Sequence, residues 1–120
     1  MKIEHLKENN IAIVYSDEVL IREVQDALDL VMTVKYESGA EKIVINKEAM
    51  DEKFFILSSG LAGEILQKFI NYHVKFAIYG EYSKYTSKPL HDFIYESNNG
   101  KDFFFVNSKE EAIEALSLHD

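Results

Sequence analysis

Two short stretches of the chain carry side chains whose types and spacing could do chemistry. The first, residues 57–63, reads LSSGLAG and opens an apolar helical pattern with two hydroxyls and a glycine. Its candidate binding residues are Ser58, Ser59, Gly60 and Leu61. Serines at this position are typical of a helix cap, where they accept free backbone N–H groups, but they are equally suited to a site that another molecule recognises. Both roles stay open.

The second stretch, residues 81–88, reads EYSKYTSK and is rich in hydroxyl and ammonium groups. Its candidate binding residues are Tyr82, Lys84, Tyr85 and Lys88. Such a set favours recognition of a phosphate, an anionic metabolite or an acidic partner. A solvated loop that ends in a helix cap at Thr86 or Ser87 explains the same residues without a ligand.

Other chemistries lack the residues they need. Cysteine is absent, and the histidines at positions 5, 73, 91 and 119 do not have the spacing of metal ligands, so we expect no metal site. Neither GxxxxGK[ST] nor GxGxxG occurs, and no GxSxG turn supports a nucleophilic triad of Ser58, His91 and Asp92. We therefore expect a non-enzymatic protein without a cofactor.

Net charge and hydropathy limit the classes of partner that we expect. Thirteen Lys and Arg against 21 Asp and Glu give a formal net charge of −8, and a negative field repels the phosphate backbones of nucleic acids. No apolar run reaches membrane-spanning length, and the first residues lack the core of a signal peptide. We expect a cytoplasmic protein with one domain over 1–120 that binds neither nucleic acid nor membrane.

The elements that must position the two stretches alternate between strand-like and helix-like patterns. Strands are predicted over 2–6, 11–16, 41–46, 74–80 and 102–107. Helices are predicted over 16–39, from Leu61 in the LSSGLAG stretch onwards, over 89–99 and over 108–116. Helical connections imply mainly parallel pairing, and the first two strands form an antiparallel hairpin. The order β-β-α-β-α-β-α-β-α thus predicts an α/β fold with a mixed sheet of about five strands covered by helices.

Cap residues, glycines and apolar spacing refine the expected ends and faces of the first two helices. Ser16 or Asp17 is the predicted cap of the first helix, and Gly39 its predicted stop. Gly60 and Gly63 are expected to let the second helix pack closely against the sheet. An apolar stripe is predicted along that helix at Leu61, Ile65, Leu66, Phe69 and Ile70.

Both candidate stretches follow predicted strands. Ligands of open parallel sheets collect beyond the carboxyl ends of the strands, where the loops form a crevice. The loops expected at that edge are 47–60, 81–88 and 107–108. We therefore expect the two stretches to meet there. The N-terminal hairpin at the opposite side of the sheet could pair with a second copy and form a homodimer.

A resemblance to known families covers most of the chain. Strand 41–46, the SSGLAGEIL run, strand 74–80 and the final FFFVNSKEEAIEAL together resemble sulfate-transporter and anti-sigma-factor-antagonist (STAS) domains. The resemblance implies a STAS-like fold, a protein partner, and phosphorylation at Ser58, which matches the modified serine of the family's D-S-S-G-L-G-like turn. The longer pattern from ALDLVMTVKYESG to YTSKPLHDFIYESNNG is similar to a bacterial family of uncharacterised domains, which implies no activity.

Two functions follow as hypotheses. The first is a regulatory protein-interaction domain that contacts its partner through residues 57–66 and 81–88 and is switched by phosphorylation of Ser58. The alternative is a sensor or carrier of a small anionic ligand, such as a nucleotide or a phosphorylated metabolite, bound at the same edge of the sheet.

Overall fold

The computed structural model describes residues 1–118 and confirms an α/β fold with a five-stranded mixed sheet. The strands are Lys2–Leu6 (β1), Ile11–Tyr15 (β2), Lys42–Asn46 (β3), Lys75–Tyr79 (β4) and Phe103–Val106 (β5). They follow chain order across the sheet. β1 is antiparallel to β2, and each later strand is parallel to the one before it. The predicted hairpin and the mainly parallel pairing are confirmed, whereas the single-domain division stays a prediction.

Within residues 1–118, four α-helices cover the sheet, three on one face and one on the other. They are Val24–Ser38 (α1), Leu61–Asn71 (α2), Lys88–Asn98 (α3) and Lys109–Leu118 (α4). Helices α1, α2 and α3 share one apolar cluster on one face, as expected when right-handed crossovers join neighbouring strands in succession. Helix α4 alone packs on the other face. We call these the three-helix face and the α4 face.

The strands are apolar on both sides because both faces are covered. In β3, Ile43 and Ile45 point into the three-helix face, and Val44 between them points towards α4. All three side chains are fully buried. The continuous run EKIVIN in the sequence is therefore the signature of a central strand, as predicted.

Helix α1 begins at Val24, much later than the predicted range 16–39 allows. The predicted caps Ser16 and Asp17 are therefore wrong. Residues 16–23 form an extended connector instead, because hydrogen bonds to a distant loop outweigh the local helical pattern.

The connector is held by the loop that follows β3. The N–H of Ile21 donates to the Ala49 carbonyl oxygen (3.0 Å), and the N–H of Asp51 donates to the Ile21 carbonyl oxygen (2.9 Å). Ile21 pairs with Met50 as a single parallel bridge and is fully buried. The far end of α1 agrees with the prediction, since Gly39 has a φ of 74°.

The outer edge of β5 is occupied by a side chain. The Asn98 carboxamide accepts the Phe105 N–H through Oδ1 (2.8 Å) and donates through Nδ2 to the Phe105 carbonyl oxygen (3.0 Å). These are the backbone groups that a further strand would use. Helix α3 thus closes this side of the sheet.

None of the helices formed by residues 1–118 has both the length and the apolar character needed to cross a bilayer.

Candidate functional site

One buried amide fixes the strand ends from which the site is built. Asn46, the last residue of β3, accepts the Ser16 N–H through Oδ1 (3.0 Å) and donates through Nδ2 to the Ser16 carbonyl oxygen (2.7 Å). Nδ2 also lies 3.3 Å from a carboxylate oxygen of Glu48. The Asn46 side chain therefore joins the carboxyl ends of β2 and β3 and fixes where the next segment starts.

Residues 47–60, which we call the Ser58 segment, are ordered as three short 3-10 turns. These turns are Lys47–Ala49, Glu52–Phe55 and Leu57–Ser59. Phe54 anchors the segment, since its ring is fully buried and lies 6.4 Å from the ring of Phe103 and 6.2 Å from that of Phe105. The two phenylalanines of this segment, Phe54 and Phe55, therefore belong to the core, whereas the adjacent Ile56 is exposed.

The end of β4 approaches the Ser58 segment at a glycine. A Cβ atom on Gly80 would lie only 2.6 Å from the Cβ of Lys47. The Gly80 N–H donates to the Val106 carbonyl oxygen (3.0 Å), so the backbone has little freedom to retreat. A residue without a side chain is needed at this position.

This contact gives a paired prediction. Gly80→Ala should lower the free energy of unfolding by about 1–3 kcal/mol, because the added methyl group overlaps Lys47. Gly63→Ala, at an exposed helical position with open space around it, should raise stability by about 0.5–1 kcal/mol. Urea denaturation of both variants measures the difference. Equal effects of the two substitutions would contradict the close approach.

Residues 81–87, which we call the Lys84 loop, are fastened onto the Ser58 segment. The ring of Tyr85 stacks on that of Phe55 with centroids 5.0 Å apart. The Glu52 carboxylate accepts hydrogen bonds from the Tyr85 hydroxyl (2.9 Å) and the Lys84 ammonium (3.0 Å). The Lys47 ammonium lies 5.1 Å from the centre of the Tyr85 ring, within reach of a cation–π interaction.

The contacts within this cluster shift the pKa values of two of its members. The Lys84 ammonium, assisted by the Tyr85 hydroxyl, holds the pKa of Glu52 below its ordinary value. Burial and the hydrogen bond to Glu52 raise the pKa of Tyr85. At neutral pH, Glu52 is therefore an ionised acceptor and Tyr85 a neutral donor in the hydrogen bond that they share.

The two serines have different roles. The Ser59 hydroxyl donates to the Lys53 carbonyl oxygen (2.6 Å) and accepts the N–H of Leu61 (3.2 Å). Ser59 therefore provides the hydrogen-bond acceptor for a free N–H group at the start of α2. The Ser58 side chain is exposed, and its hydroxyl has no hydrogen-bond partner among residues 1–118. Both serines are exposed, but only Ser59 has its hydroxyl engaged at the start of α2, whereas that of Ser58 is free of such a bond within residues 1–118.

Several predictions about α2 need correction. Gly60 has a φ of 81°, and a Cβ there would touch only the flexible end of Glu64, at 3.6 Å. Gly60 and Gly63 therefore do not mediate close packing against the sheet; backbone conformation explains Gly60. Leu61 is buried as the stripe requires, but Ile70 is 43% exposed and lies outside the core.

Ser58 and the Lys84 loop line one groove of about 330 Å³, which we call the Ser58 groove. Its walls include Ile56, Leu57 and Ser58 on one side and Lys84, Tyr85, Thr86, Ser87 and Pro89 on the other. The two candidate stretches thus meet at the carboxyl edge of the sheet.

Only part of the predicted residue set lines this groove. Ser58, Lys84 and Tyr85 do, whereas Ser59, Gly60, Leu61, Tyr82 and Lys88 do not. Ser59 lines a separate depression of about 230 Å³ beside Arg22. The Tyr82 hydroxyl donates to the Ile78 carbonyl oxygen (2.7 Å). Lys88 pairs with Asp92 (2.7 Å), so this lysine is engaged on its own helix.

Sequence reasoning missed apolar residues that line the groove, among them Ile56 and Pro89, and it missed Lys47 and Glu52, which hold the Lys84 loop in place. Nothing local links Glu52 to Lys84, because the two are far apart in the chain. A signal did exist for Ile56. Three consecutive apolar residues on a tight turn cannot all face inward, and Ile56 is 56% exposed beside two buried phenylalanines.

Among residues 1–118, the histidine and carboxylate considered as triad partners of Ser58 are engaged elsewhere. His91 Nε2 lies 2.6 Å from the Tyr85 carbonyl oxygen, and Asp92 is paired with Lys88, so neither is arranged as a triad with Ser58. Within residues 1–118, no three His, Asp or Glu side chains gather as a metal site. His119 lies outside the described residues.

Fold and site together define a class: an α/β protein with an in-order, five-stranded mixed sheet and a polar-rimmed groove at its carboxyl edge. The chain belongs to the family described as Domain of unknown function (DUF4180), whose model matches residues 6–116. The predicted resemblance to a family of uncharacterised domains is thereby confirmed. Comparisons with curated proteins and with solved structures gave no match.

Proposed function

We propose that this protein is a non-enzymatic regulatory domain that binds a protein partner through the Ser58 groove. The observation that carries the proposal is the exposed side chain of Ile56, which stands at the groove wall next to Ser58. Leu57 and Pro89 add apolar surface, and Lys84 and Tyr85 supply a polar rim. An apolar centre with a polar rim is the usual composition of a protein–protein contact.

The ion pairs at this edge favour a protein over a small anion. Lys84 is already paired with Glu52, and Lys88, outside the groove, is paired with Asp92. An anionic ligand at either lysine would meet the negative charge of the carboxylate already paired with that lysine. The alternative function, a sensor or carrier of such a ligand, stays a prediction with less support.

We extend the proposal to control by phosphorylation of Ser58, in the manner of the STAS domains that the sequence resembles. A phosphate there would add about −1.5 to −2 charges at the groove wall. An apolar or acidic partner would then lose both shape fit and electrostatic attraction. The hydroxyl that accepts the Leu61 N–H at the start of α2 belongs to Ser59, so phosphorylation of Ser58 leaves that hydrogen bond in place. Leu57, which stands where phosphorylated STAS members carry an acidic residue, is the departure from that pattern.

Partner capture with four chains tests the proposal. Ile56→Asp and Ser58→Glu should weaken binding of the partner at least about tenfold, equivalent to 1.4 kcal/mol, because each places a carboxylate in the groove. Ile70→Asp is the matched control, since it introduces the same charge on an exposed isoleucine of α2. Quantitative pull-down from a lysate of the source organism, followed by titration with the purified partner, gives the affinities.

Two outcomes would oppose the proposal. The first is a partner that all four chains retain equally, which would place the contact elsewhere. The second is a thermal shift with nucleotides or phosphorylated metabolites that Lys84→Ala abolishes, which would favour the ligand-sensor alternative.

A further inference from the structure

The two outer strands of the sheet differ in whether they can accept another strand. Asn98 occupies the Phe105 N–H and carbonyl in the middle of β5, which is only four residues long. β1 pairs with β2, and its other side meets no strand within residues 1–118. An open strand edge is a template for pairing with another chain. The sheet can therefore be extended at β1.

The charges of β1 select one partner and one register. The strand reads KIEHL, with Lys2 and Glu4 exposed on either side of Ile3. If two copies pair antiparallel about Ile3, each Lys2 lies directly opposite the Glu4 of the other copy. Opposite charges in such cross-strand pairs are stabilising, and like charges are destabilising. A register centred on Glu4 would instead oppose the two Glu4 carboxylates.

We infer that two copies of this chain form a symmetric dimer by antiparallel pairing of their β1 strands about Ile3, with two reciprocal Lys2–Glu4 pairs. Charged residues on a strand edge commonly prevent association, but here the same charges are self-complementary. Neither Ile56 nor Ser58 takes part, so the inference is independent of the proposed function.

The faces of the sheet are preserved in this arrangement. Ile3 packs with the core of the three-helix face, so the two Ile3 side chains meet on that side. Lys2 and Glu4 lie on the α4 face, where they line an open groove of about 480 Å³ with Tyr15 and Tyr79. The two-fold axis brings two such grooves together, and the Lys2–Glu4 pairs form their shared floor.

The expected dimer is weak, because pairing of two five-residue strands buries less than a standard interface. Sedimentation velocity of the tag-free chain between about 1 and about 500 µM should show a monomer at the low end and a dimer at the high end. Lys2→Glu and Glu4→Lys should each remain monomeric throughout, since each makes both cross-strand pairs repulsive. Lys7→Glu, in the hairpin turn, should dimerise as the wild type does.

A mixture of the two β1 variants is the decisive sample. Equal amounts of Lys2→Glu and Glu4→Lys should form a heterodimer at least as tight as the wild-type dimer, because opposite charges again face each other at both positions. Thermal melting followed by circular dichroism checks that all variants are folded. A wild-type chain that is monomeric at the highest concentration, a dimer that both single variants leave intact, or a mixture that fails to associate would each overturn the inference.

Discussion

Phe54→Ala should lower the free energy of unfolding by about 3–5 kcal/mol, the largest effect that we expect from a single substitution. The Phe54 ring is fully buried, lies edge-on to Phe55 with centroids 5.1 Å apart, and packs against the rings of Phe103 and Phe105. Alanine would leave a cavity between the Ser58 segment and β5 that neighbouring rings cannot fill. Equilibrium unfolding in urea, followed by circular dichroism, measures the loss.

Two further variants define how that loss should be interpreted. Phe54→Leu keeps most of the side-chain volume and should cost clearly less than the alanine variant. Tyr36→Ala removes an aromatic ring that is 93% exposed on α1, and should change stability by no more than about 0.5 kcal/mol. A Phe54→Ala variant as stable as Tyr36→Ala would show that Phe54 does not anchor the segment.

Asn46→Ala should lower the free energy of unfolding by about 2–4 kcal/mol, because it leaves two backbone groups without hydrogen-bond partners at once. The Asn46 side chain is 1% exposed, and its amide is bonded to both the N–H and the carbonyl oxygen of Ser16, itself buried. Without the amide, both groups lose these partners at a buried position with little access to water. Thermal and urea unfolding of the purified variant measure the effect.

The matched control is Asn71→Ala. Asn71 is an exposed asparagine at the end of α2, and its side chain bonds only to Gln67 (3.1 Å) within residues 1–118. Its loss should cost about 0.5 kcal/mol or less. If the two asparagine variants unfold alike, the amide of Asn46 does not join β2 to β3 in the way proposed.

Periodicity was sufficient for the fold because the core residues of this chain follow regular patterns. The run EKIVIN is apolar at consecutive positions, which is typical of a strand covered on both faces. A local cap signal agrees with the pattern at the last helix, because the hydroxyl of Ser108 accepts the Glu111 N–H (3.1 Å). The start of α1 escaped prediction for the opposite reason. The residues before Val24 have helical spacing, but their backbone bonds go to Ala49 and Asp51, which no local pattern reveals.

The sequence was sufficient to predict where the two candidate stretches meet, but only some of the side chains that line the groove there. The topology of a parallel sheet put the Ser58 segment and the Lys84 loop at one edge, and they do meet there. Which side chains remain available depends on long-range pairs such as Glu52 with Lys84. Ser59, and not Ser58, is hydrogen-bonded because its hydroxyl reaches the carbonyl oxygen of Lys53, and the turns of the segment set the position of that carbonyl.

The unequal cover of the sheet has a consequence for how the protein folds. Among residues 1–118, helix α4 alone supplies the apolar cover of one face, and its last turns also reach the first hairpin, where Asn9 Nδ2 donates to Ser117 Oγ (3.0 Å). Until α4 docks, this side of the sheet is bare and exposes Ile11, Ile13, Val44, Ala77 and Phe104. A folding intermediate in which the other three helices have packed and α4 has not would therefore present a broad apolar surface. Such surfaces make intermediates prone to chaperone binding and misassociation.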